Sequence, residues 1–284
     1  MGSLQVNLIR LLFGGAMLGT LLLITSGHLF PVGADSKTWI WMSLSGLVGF
    51  VFGDLCLFYS YSLITSRFSQ LIMTLAPPFA AIFGFMLLDE KTGMMGVLGM
   101  AITLTGIAIS VLKRAGGKGK SARLALHLPL RGVLLALGGA LGQGMGIVLS
   151  KKGMLFYEKS LSEPLFFSNY IPFAATQMRI ITGIVSFIII ILVTGRGGKL
   201  KQALHDTKGM LATLGGSFFG PFMGVSLSLT AVLYTETGIA STIMATVPIL
   251  ILIPYAILYK QRPKWIEVLG AFLCVLGVSC FFIR

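Results

Sequence analysis

Long apolar segments alternate with short polar connections along almost the whole chain. Each segment holds about 20 residues, the length that an α-helix needs to cross the hydrocarbon core of a bilayer. The pattern therefore predicts an all-α polytopic membrane protein with nine transmembrane helices. The predicted spans are 6–27, 38–63, 67–88, 93–113, 131–151, 169–194, 209–234, 237–259 and 265–283.

Part of this pattern occurs twice in the chain. Residues 44–113 align without a gap on residues 215–284, at an offset of 171 positions, and the first span aligns on the sixth at an offset of 169. The matched pairs include Arg10 and Arg179, Gly14 and Gly183, Gly49 and Gly220, Gly53 and Gly224, Pro77 and Pro248, and Gly106 and Gly277. In membrane chains, duplicated halves of this kind are typical of secondary transporters.

The first span also has the features of a signal peptide, because Arg10 precedes an apolar stretch that ends in small residues. Its repeat partner lies deep in the chain, so we expect the first span to belong to the mature fold. The first half then holds four spans and the second half five. The chain is either a 4+5 protein or one that begins at an internal Met and lacks the first helix of a ten-helix pattern. The second interpretation is favoured, since a missing helix would open a pseudosymmetric cavity to lipid.

The repeat predicts three parts of the chain. Residues 1–113 form a first repeat that lacks its first helix, residues 114–130 form a basic connecting loop, and residues 131–284 form a second repeat. A complete unit of five spans is odd in number, so the two units face opposite ways in the membrane. Such an inverted repeat places the substrate site between the halves, near the middle of the bilayer.

Composition and charge agree with a membrane protein. The chain is 55% hydrophobic and only 11% charged, too few charges to cover the surface of a soluble domain. A net charge of +13 suggests nucleic acid as a partner for a soluble protein. Here the basic residues lie mostly in loops, where they report membrane orientation. They place the 113–131 loop in the cytoplasm and Arg284 outside, in a multi-pass protein of the cell inner (plasma) membrane.

Glycine and proline recur at matched positions inside the spans. The four-residue spacing of Gly216, Gly220 and Gly224, and of Gly49 and Gly53, predicts close helix packing. A surface that slides during gating is the other interpretation. Pro77 and Pro248 lie within their spans, so the sequence predicts that both helices kink there. A static kink and a gating break are the two interpretations of these prolines.

Three charged residues, Arg10, Asp54 and Arg179, fall well inside the predicted spans. A charge in the bilayer is costly and normally faces the protein interior. Snorkelling is one interpretation of Arg10, and an ion pair with Asp54 at similar depth is another. Asp54 aligns on Val225, so Arg179 has no acid at the matching position. We therefore hypothesise that a carboxylate or phosphate of the cargo pairs with Arg179.

Other polar residues on these spans complete the predicted substrate site. The full set is Arg10, Arg179, Asp54, Asn7, Thr176, Gln177, Gln143 and Tyr59. For Tyr59, a place in the aromatic belt at the membrane interface is the alternative. The cysteines lie in apolar runs and the histidines in loops, without the spacing of metal ligands. No metal or other cofactor is therefore expected.

Taken as a set, these features resemble the EamA-type transporters of the drug/metabolite transporter superfamily. The residues that carry the resemblance are 73–78 with 87–91, Leu98-Gly99 to Gly106, residues 245–248, and Leu269-Gly270 to Gly277. Glu90 stands where the family commonly has an acid at the end of its fourth helix, whereas the second copy has Gln261. The resemblance implies two EamA-like five-helix repeats, the first without its initial helix.

The resemblance also implies two points on which this chain departs from its relatives. The family usually has cytoplasmic termini, which conflicts with the loop charges, so the orientation stays open. Small multidrug relatives depend on a carboxylate in the first helix for proton-coupled export. No such residue can be identified here, and proton coupling is therefore not predicted.

The sequence predicts a secondary transporter that exports small metabolites, such as amino acids or other small organic anions, by alternating access. The alternative is an exporter of hydrophobic or cationic drugs in which Asp54 is the key residue. An intramembrane enzyme would need paired catalytic groups at one depth, and a structural membrane protein would leave Arg10 and Arg179 unexplained, so both are remote. The expected partners are the substrate and the lipid bilayer, without nucleic acid and with the oligomeric state left open.

Overall fold

In the computed structural model, residues 3–64, 66–115, 129–161, 170–195, 197–250 and 265–282 are described, and their regular structure is entirely helical. The helices of the first half are α1 (Ser3–Ser26), α2 (Ser36–Gly46), the π-helix π1 (Leu47–Gly53), α3 (Asp54–Leu63), α4 (Ser66–Met73), α5 (Ala76–Leu88) and α6 (Met94–Ala115). Those of the second half are α7 (Leu130–Ser160), α8 (Tyr170–Val193), α9 (Gly197–Leu204), α10 (Thr207–Ser217), the π-helix π2 (Phe218–Val225), α11 (Ser226–Tyr234), α12 (Thr237–Met244), α13 (Val247–Leu250) and α14 (Trp265–Cys280).

Six helical segments of the described chain are long and apolar enough to cross a membrane. They are Leu4–Ser26, Ser36–Leu63, Phe68–Leu88, Leu130–Ser160, Tyr170–Val193 and Thr207–Tyr234. Two shorter apolar helices, Met94–Ile109 and Val268–Cys280, coincide with predicted spans. The predicted span 237–259 runs past residue 250, beyond the described residues, so the count of nine stays a prediction. The chain is a polytopic helical membrane protein, as predicted.

The helices divide into two compact units. The first unit combines Met1–Val51 with Gly146–Tyr234, and the second combines Phe52–Met145 with Thr235–Arg284. In the first unit, α1 packs on α8, α10 and π2, while α8 packs on α2 and α11. In the second unit, α6 packs along α14, and α12 packs on α5. Both units draw helices from both halves of the sequence, and the predicted division at 114–130 stays a prediction.

The same sequence of local structures occurs in both halves. Asp35 caps α2 by accepting a hydrogen bond from the Thr38 backbone N–H at 2.8 Å, and Asp206 caps α10 by accepting one from Gly209 at 3.0 Å. Each capped helix then continues into a π-helix, π1 or π2, whose first residues lie 171 positions apart. The π-helices are a finding of the structure, since hydropathy does not distinguish a π-turn from an α-turn.

The contacts between α1 and α8 in the first unit form matched pairs: when each residue is replaced by its counterpart in the other copy, one contact becomes another. A Cβ atom placed on Gly14 would lie 3.6 Å from Ile180, and one placed on Gly183 would lie 2.9 Å from Leu11. At the offset of 169, Gly14 corresponds to Gly183 and Leu11 to Ile180. Gly19 lies by Gln177 while Leu11 lies by Gly183, so α1 and α8 run antiparallel.

The second unit has an equivalent arrangement between α6 and α14. A Cβ atom on Gly99 would lie 2.6 Å from the Gly277 carbonyl oxygen, and one on Gly106 would lie 2.6 Å from the Gly270 carbonyl oxygen. At the offset of 171, Gly99 corresponds to Gly270 and Gly106 to Gly277, so each contact is the counterpart of the other. Because the backbones touch, a side chain larger than hydrogen cannot be accommodated at these crossings without moving a helix.

The helix is interrupted directly before each predicted kink. Between α4 and α5, the backbone N–H of Thr74 bonds the Leu71 carbonyl at 3.2 Å, and the Thr74 hydroxyl bonds it at 2.6 Å. Thr246, between α12 and α13, makes the same pair of bonds to the Ile243 carbonyl, at 3.1 and 2.7 Å. Pro77 lies in the first turn of α5, where a missing N–H is tolerated, and Pro248 lies in α13. A gating role of these breaks stays a prediction.

Close packing along Gly216 and Gly220 is not seen among the described residues, so it stays a prediction. A Cβ atom at either position would meet nothing within 4 Å among the described residues. These glycines lie on a side of α10 and π2 that no described helix covers. The contact with α1 is made instead by Pro221, whose Cγ would lie 2.8 Å from a Cβ atom on Gly14.

Candidate functional site

Arg179 is buried inside the first unit. It lies on α8, whose residues from Phe173 to Ile180 are all buried, and only 4% of its surface is exposed. Its guanidinium carbon lies 4.5 Å from the centre of the Phe50 ring on π1, a cation–π contact. The sequence does not place Arg179 at a helix end from which it could snorkel, and the fold gives it an aromatic surface instead.

Two glycines let the second span approach Arg179. A Cβ atom on Gly46 would lie 2.9 Å from the Arg179 carbonyl oxygen, and one on Gly49 would lie 3.0 Å from its Nη2. Gly46 ends α2, while Gly49 and Phe50 lie in π1. The extra residue of a π-turn widens the helix locally and often marks a functional site. Here it falls where the ring and the glycine meet the guanidinium.

Gln177 lies in the contact between α8 and α1. Its side-chain nitrogen would be 3.5 Å from a Cβ atom on Gly19 and its oxygen 3.9 Å from one on Gly15. The residue is 6% exposed, and its Oε1 accepts no hydrogen bond within the described part of the chain. Thr176 is also buried, but its hydroxyl bonds the Pro172 carbonyl at 2.8 Å within the same helix. Of these two neighbours, Gln177 is the one with unused hydrogen-bonding capacity.

The start of α1 buries two amides. Asn7 and Gln5 are each 2% exposed, and neither side-chain nitrogen donates a hydrogen bond to any described residue. Buried amides of this kind normally have partners, so each is a candidate for contact with a bound molecule or water. Asn7 was predicted from the sequence and Gln5 was not, although the polarity of Gln5 inside an apolar helix was a usable signal.

Arg10 has different surroundings from its repeat partner Arg179. It is half-buried on α1. The contact of Gly14 with Pro221 on π2 corresponds to the contact of Gly183 with Phe50 on π1. Proline therefore takes the place of the ring on which Arg179 stacks. The two arginines occupy matched positions in the sequence, but the ring beside Arg179 has no aromatic counterpart in the other copy.

The remaining predicted site residues belong to the second unit. Asp54 is half-buried and begins α3, Gln143 is exposed on α7, and Tyr59 is 52% exposed. Arg10 belongs to the first unit, and its ion pair with Asp54 stays a prediction. Arg179, Gln177, Thr176, Asn7 and Arg10 all lie in the first unit, on α1 and α8.

One end of the contact between α1 and α8 is closed by the loop after α1. The backbone N–H of Val32 donates to the Tyr170 hydroxyl at 3.1 Å, and its carbonyl accepts from the Tyr157 hydroxyl at 2.6 Å. Both tyrosines are fully buried. Leu29 of the same loop lies 3.6 Å from a Cβ atom on Gly19, the position that also meets Gln177. The loop thus covers the polar contact from one side.

Comparisons with known proteins agree with this architecture. The model of the EamA-like transporter family matches residues 1–112 and 130–283. No curated protein matches the chain. One matching solved structure, a crystal structure of a protein, is 15% identical, and the alignment covers 99% of this chain and 87% of that one with a TM-score of 0.71. At this identity the likeness shows the fold alone.

Proposed function

The chain belongs to the EamA-like transporter family, a family of membrane transporters in the drug/metabolite transporter superfamily, and from this we propose that it is a secondary transporter of small metabolites. Its cargo is amino acids or other small organic anions, exported across the inner (plasma) membrane by alternating access. The observation that carries the proposal is Arg179, a cation buried within a helix of the first unit.

The exchanged helix contacts support an inverted repeat, on which alternating access depends. Repeat-related helices run antiparallel in each unit, and their contacts interchange when each residue is replaced by its counterpart. A twofold axis in the membrane plane between the halves produces this relation. Such a structure can adopt two conformations of nearly equal free energy, each open to one face of the membrane.

The surroundings of Arg179 support an anionic cargo. Keeping a cation inside the bilayer is costly, so such residues usually have a role in binding or transport. A guanidinium stacked on a ring directs its N–H donors along its own plane, the geometry that binds a carboxylate with two parallel hydrogen bonds. The buried amide of Gln177, two residues before Arg179 on α8, adds a polar group to the same unit.

Substitution of Arg179 tests the proposal. In proteoliposomes, we expect Arg179→Gln to lower the uptake of anionic cargo by about 10- to 100-fold, the effect of losing a charge-assisted hydrogen bond. Arg179→Lys keeps the charge but not the planar fork and should be intermediate. Lys152, which stacks on Trp41 at 4.6 Å, provides a matched control as Lys152→Gln. Equal uptake by wild type and Arg179→Gln would rule out the anion site.

The cargo itself is identified by an untargeted comparison of metabolites in cells with and without the protein. For an exporter, we expect small organic anions to accumulate inside cells that lack the protein and to increase in the medium of cells that express it. An increase restricted to cationic or hydrophobic compounds would favour the alternative function.

In the alternative function, the protein exports hydrophobic or cationic drugs. The observation that favours it is Asp54, a half-buried acid at the point where π1 passes into α3. A carboxylate inside a span is a natural partner for a cationic cargo. Asp54→Asn should then abolish drug resistance in cells. Resistance that survives Asp54→Asn rejects this alternative.

A further inference from the structure

A carboxylate in the second unit joins the end of one helix to the start of another. Glu90, which follows α5, accepts a hydrogen bond from the backbone N–H of Thr237 at 2.8 Å and one from its hydroxyl at 2.6 Å. Thr237 is the first residue of α12, whose N–H groups have no partners within the helix. A negative charge at a helix N-terminus is stabilised by these N–H groups and by the helix dipole.

Two glycines bring α5 and α12 into contact beside this carboxylate. A Cβ atom on Gly84 would lie 2.6 Å from Glu90 Oε2 and would collide with the Thr237 hydroxyl. One on Gly238 would lie 2.7 Å from the Cβ of Ala81. The hydroxyl of Thr237 also lies 3.2 Å from the Ala80 carbonyl oxygen. The crossing therefore holds the two helices through both polar and backbone contacts.

The repeat does not conserve this set of residues in its other copy. At the offset of 171, the counterparts of Glu90, Gly84, Thr237 and Gly238 are Gln261, Tyr255, Ser66 and Arg67. The other copy thus has neither the carboxylate nor the two glycines. In an inverted repeat, the two sequence copies belong to opposite faces of the membrane, so the sequence makes one face different from the other.

From these observations we infer that Glu90 is a positioning residue for transport, a latch that keeps the transporter closed where α5 ends and α12 begins. Opening this face requires Thr237 to leave the Glu90 carboxylate. The inference rests on the proposed alternating access, because only a transporter that opens at both faces needs to break the contact.

A cysteine reporter tests the latch without any cargo. Ser241 lies one turn after Thr237 on α12 and is 4% exposed, so Ser241→Cys is a near-isosteric probe. In the full chain in lipid nanodiscs, we expect Glu90→Gln to increase labelling of this cysteine by a membrane-impermeant maleimide about tenfold. Peptide mapping separates it from Cys56, Cys274 and Cys280.

Asp89→Asn is the matched control, since it removes the same charge one residue away. Asp89 has a φ of 55°, a left-handed conformation that Asn adopts readily, so labelling should stay at the wild-type rate. Thr237→Val, which removes the hydroxyl, should increase labelling. Thr237→Ser, which keeps the hydroxyl, should be labelled at the wild-type rate. Labelling at the wild-type rate in both Glu90→Gln and Thr237→Val overturns the inference.

Failure of the latch can be distinguished from failure of the proposed function. Faster labelling in Glu90→Gln supports the latch whether or not an anionic cargo is found. Anion uptake that depends on Arg179, together with labelling unchanged by Glu90→Gln, rejects the latch and leaves the proposed function intact. In uptake assays the latch predicts that Glu90→Gln changes the maximal rate by several-fold. Asp89→Asn should keep the maximal rate of the wild type.

Discussion

Arg179 depends on three neighbours that the sequence places far from it. The Phe50 ring supplies a surface for the cation, and the absence of side chains at Gly46 and Gly49 allows the second span to reach it. The obstacles at the two glycines differ in kind. At Gly46 the nearest atom is a backbone oxygen, which cannot move without α8, whereas at Gly49 it is the end of a long side chain.

This difference predicts unequal effects of adding a methyl group. Gly46→Ala should lower the free energy of unfolding by about 1–3 kcal/mol through overpacking. Gly49→Ala should cost less stability but reduce anion uptake, because it displaces the guanidinium. Gly216→Ala, where no described atom lies within 4 Å, should not destabilise the protein. Thermal unfolding in detergent measures these differences. If Gly46→Ala melted at the same temperature as the wild type, the close approach of α2 to α8 would not be needed for stability.

Asp35 gives a pH-dependent prediction. Thr38, whose backbone N–H donates to the Asp35 carboxylate at 2.8 Å, holds the pKa of Asp35 below its usual value of 3.8. Because this pKa is lower in the folded state, the ionised carboxylate stabilises the fold above about pH 4 and loses this effect as the pH falls through the folded pKa. Asp35→Ala should therefore lower the melting temperature by roughly 1–3 °C at pH 7. The difference should disappear at acidic pH. A difference that persists unchanged at pH 3 would contradict this account.

At the residue scale, the buried polar residues could be predicted from the sequence, but their surroundings could not. Arg179, Gln177 and Asn7 were recognisable because polar side chains are rare inside apolar spans. Phe50 was not, since an aromatic residue in such a span has no distinguishing signal and its repeat counterpart is a proline. Contacts between distant helices decide which of many apolar residues meets the cation.

At the scale of elements, hydropathy located the helices well because each must match the bilayer. The described spans begin and end close to the predicted positions, except that α7 continues to Ser160, past the predicted end at 151. Lys151 and Lys152 marked the predicted end of the apolar run but do not interrupt the helix, and Lys152 packs over Trp41. The π-helices were not predicted, because their cause is backbone geometry rather than polarity.

The helix break before Pro77 gives a prediction at this scale. Pro77→Ala restores one of the two N–H groups that Pro77 and Pro78 lack, so the connection between α4 and α5 should become more helical. If the break serves gating, the maximal transport rate should fall several-fold with little change in apparent affinity. Pro172→Ala is a suitable control, because Pro172 also lies in the first turn of its helix but no described helix ends directly before it. An unchanged maximal rate in Pro77→Ala would make the break a static kink.

At the scale of the whole molecule, the hydropathy pattern predicted the membrane fold, and the resemblance carried by residues such as 73–78 and 87–91 predicted the family. The family match over residues 1–112 and 130–283 confirms the resemblance that the sequence indicated. Cargo and orientation could not be predicted, because both depend on a few polar residues rather than on the apolar framework. The two compact units also cross the boundary between the sequence halves, which follows from long-range packing.

Alternating access through this fold is the central claim, and exchange transport tests it most directly. Proteoliposomes are preloaded with an unlabelled panel of amino acids and dicarboxylates, and uptake of the same labelled compounds is compared with that of empty vesicles. We expect the binding site of an exchanger to reorient across the membrane faster with cargo bound than empty. Internal cargo should therefore accelerate the uptake of labelled compounds several-fold, and Arg179→Gln should remove this acceleration. Uptake that does not depend on internal cargo and increases linearly with concentration would indicate a channel and contradict the account.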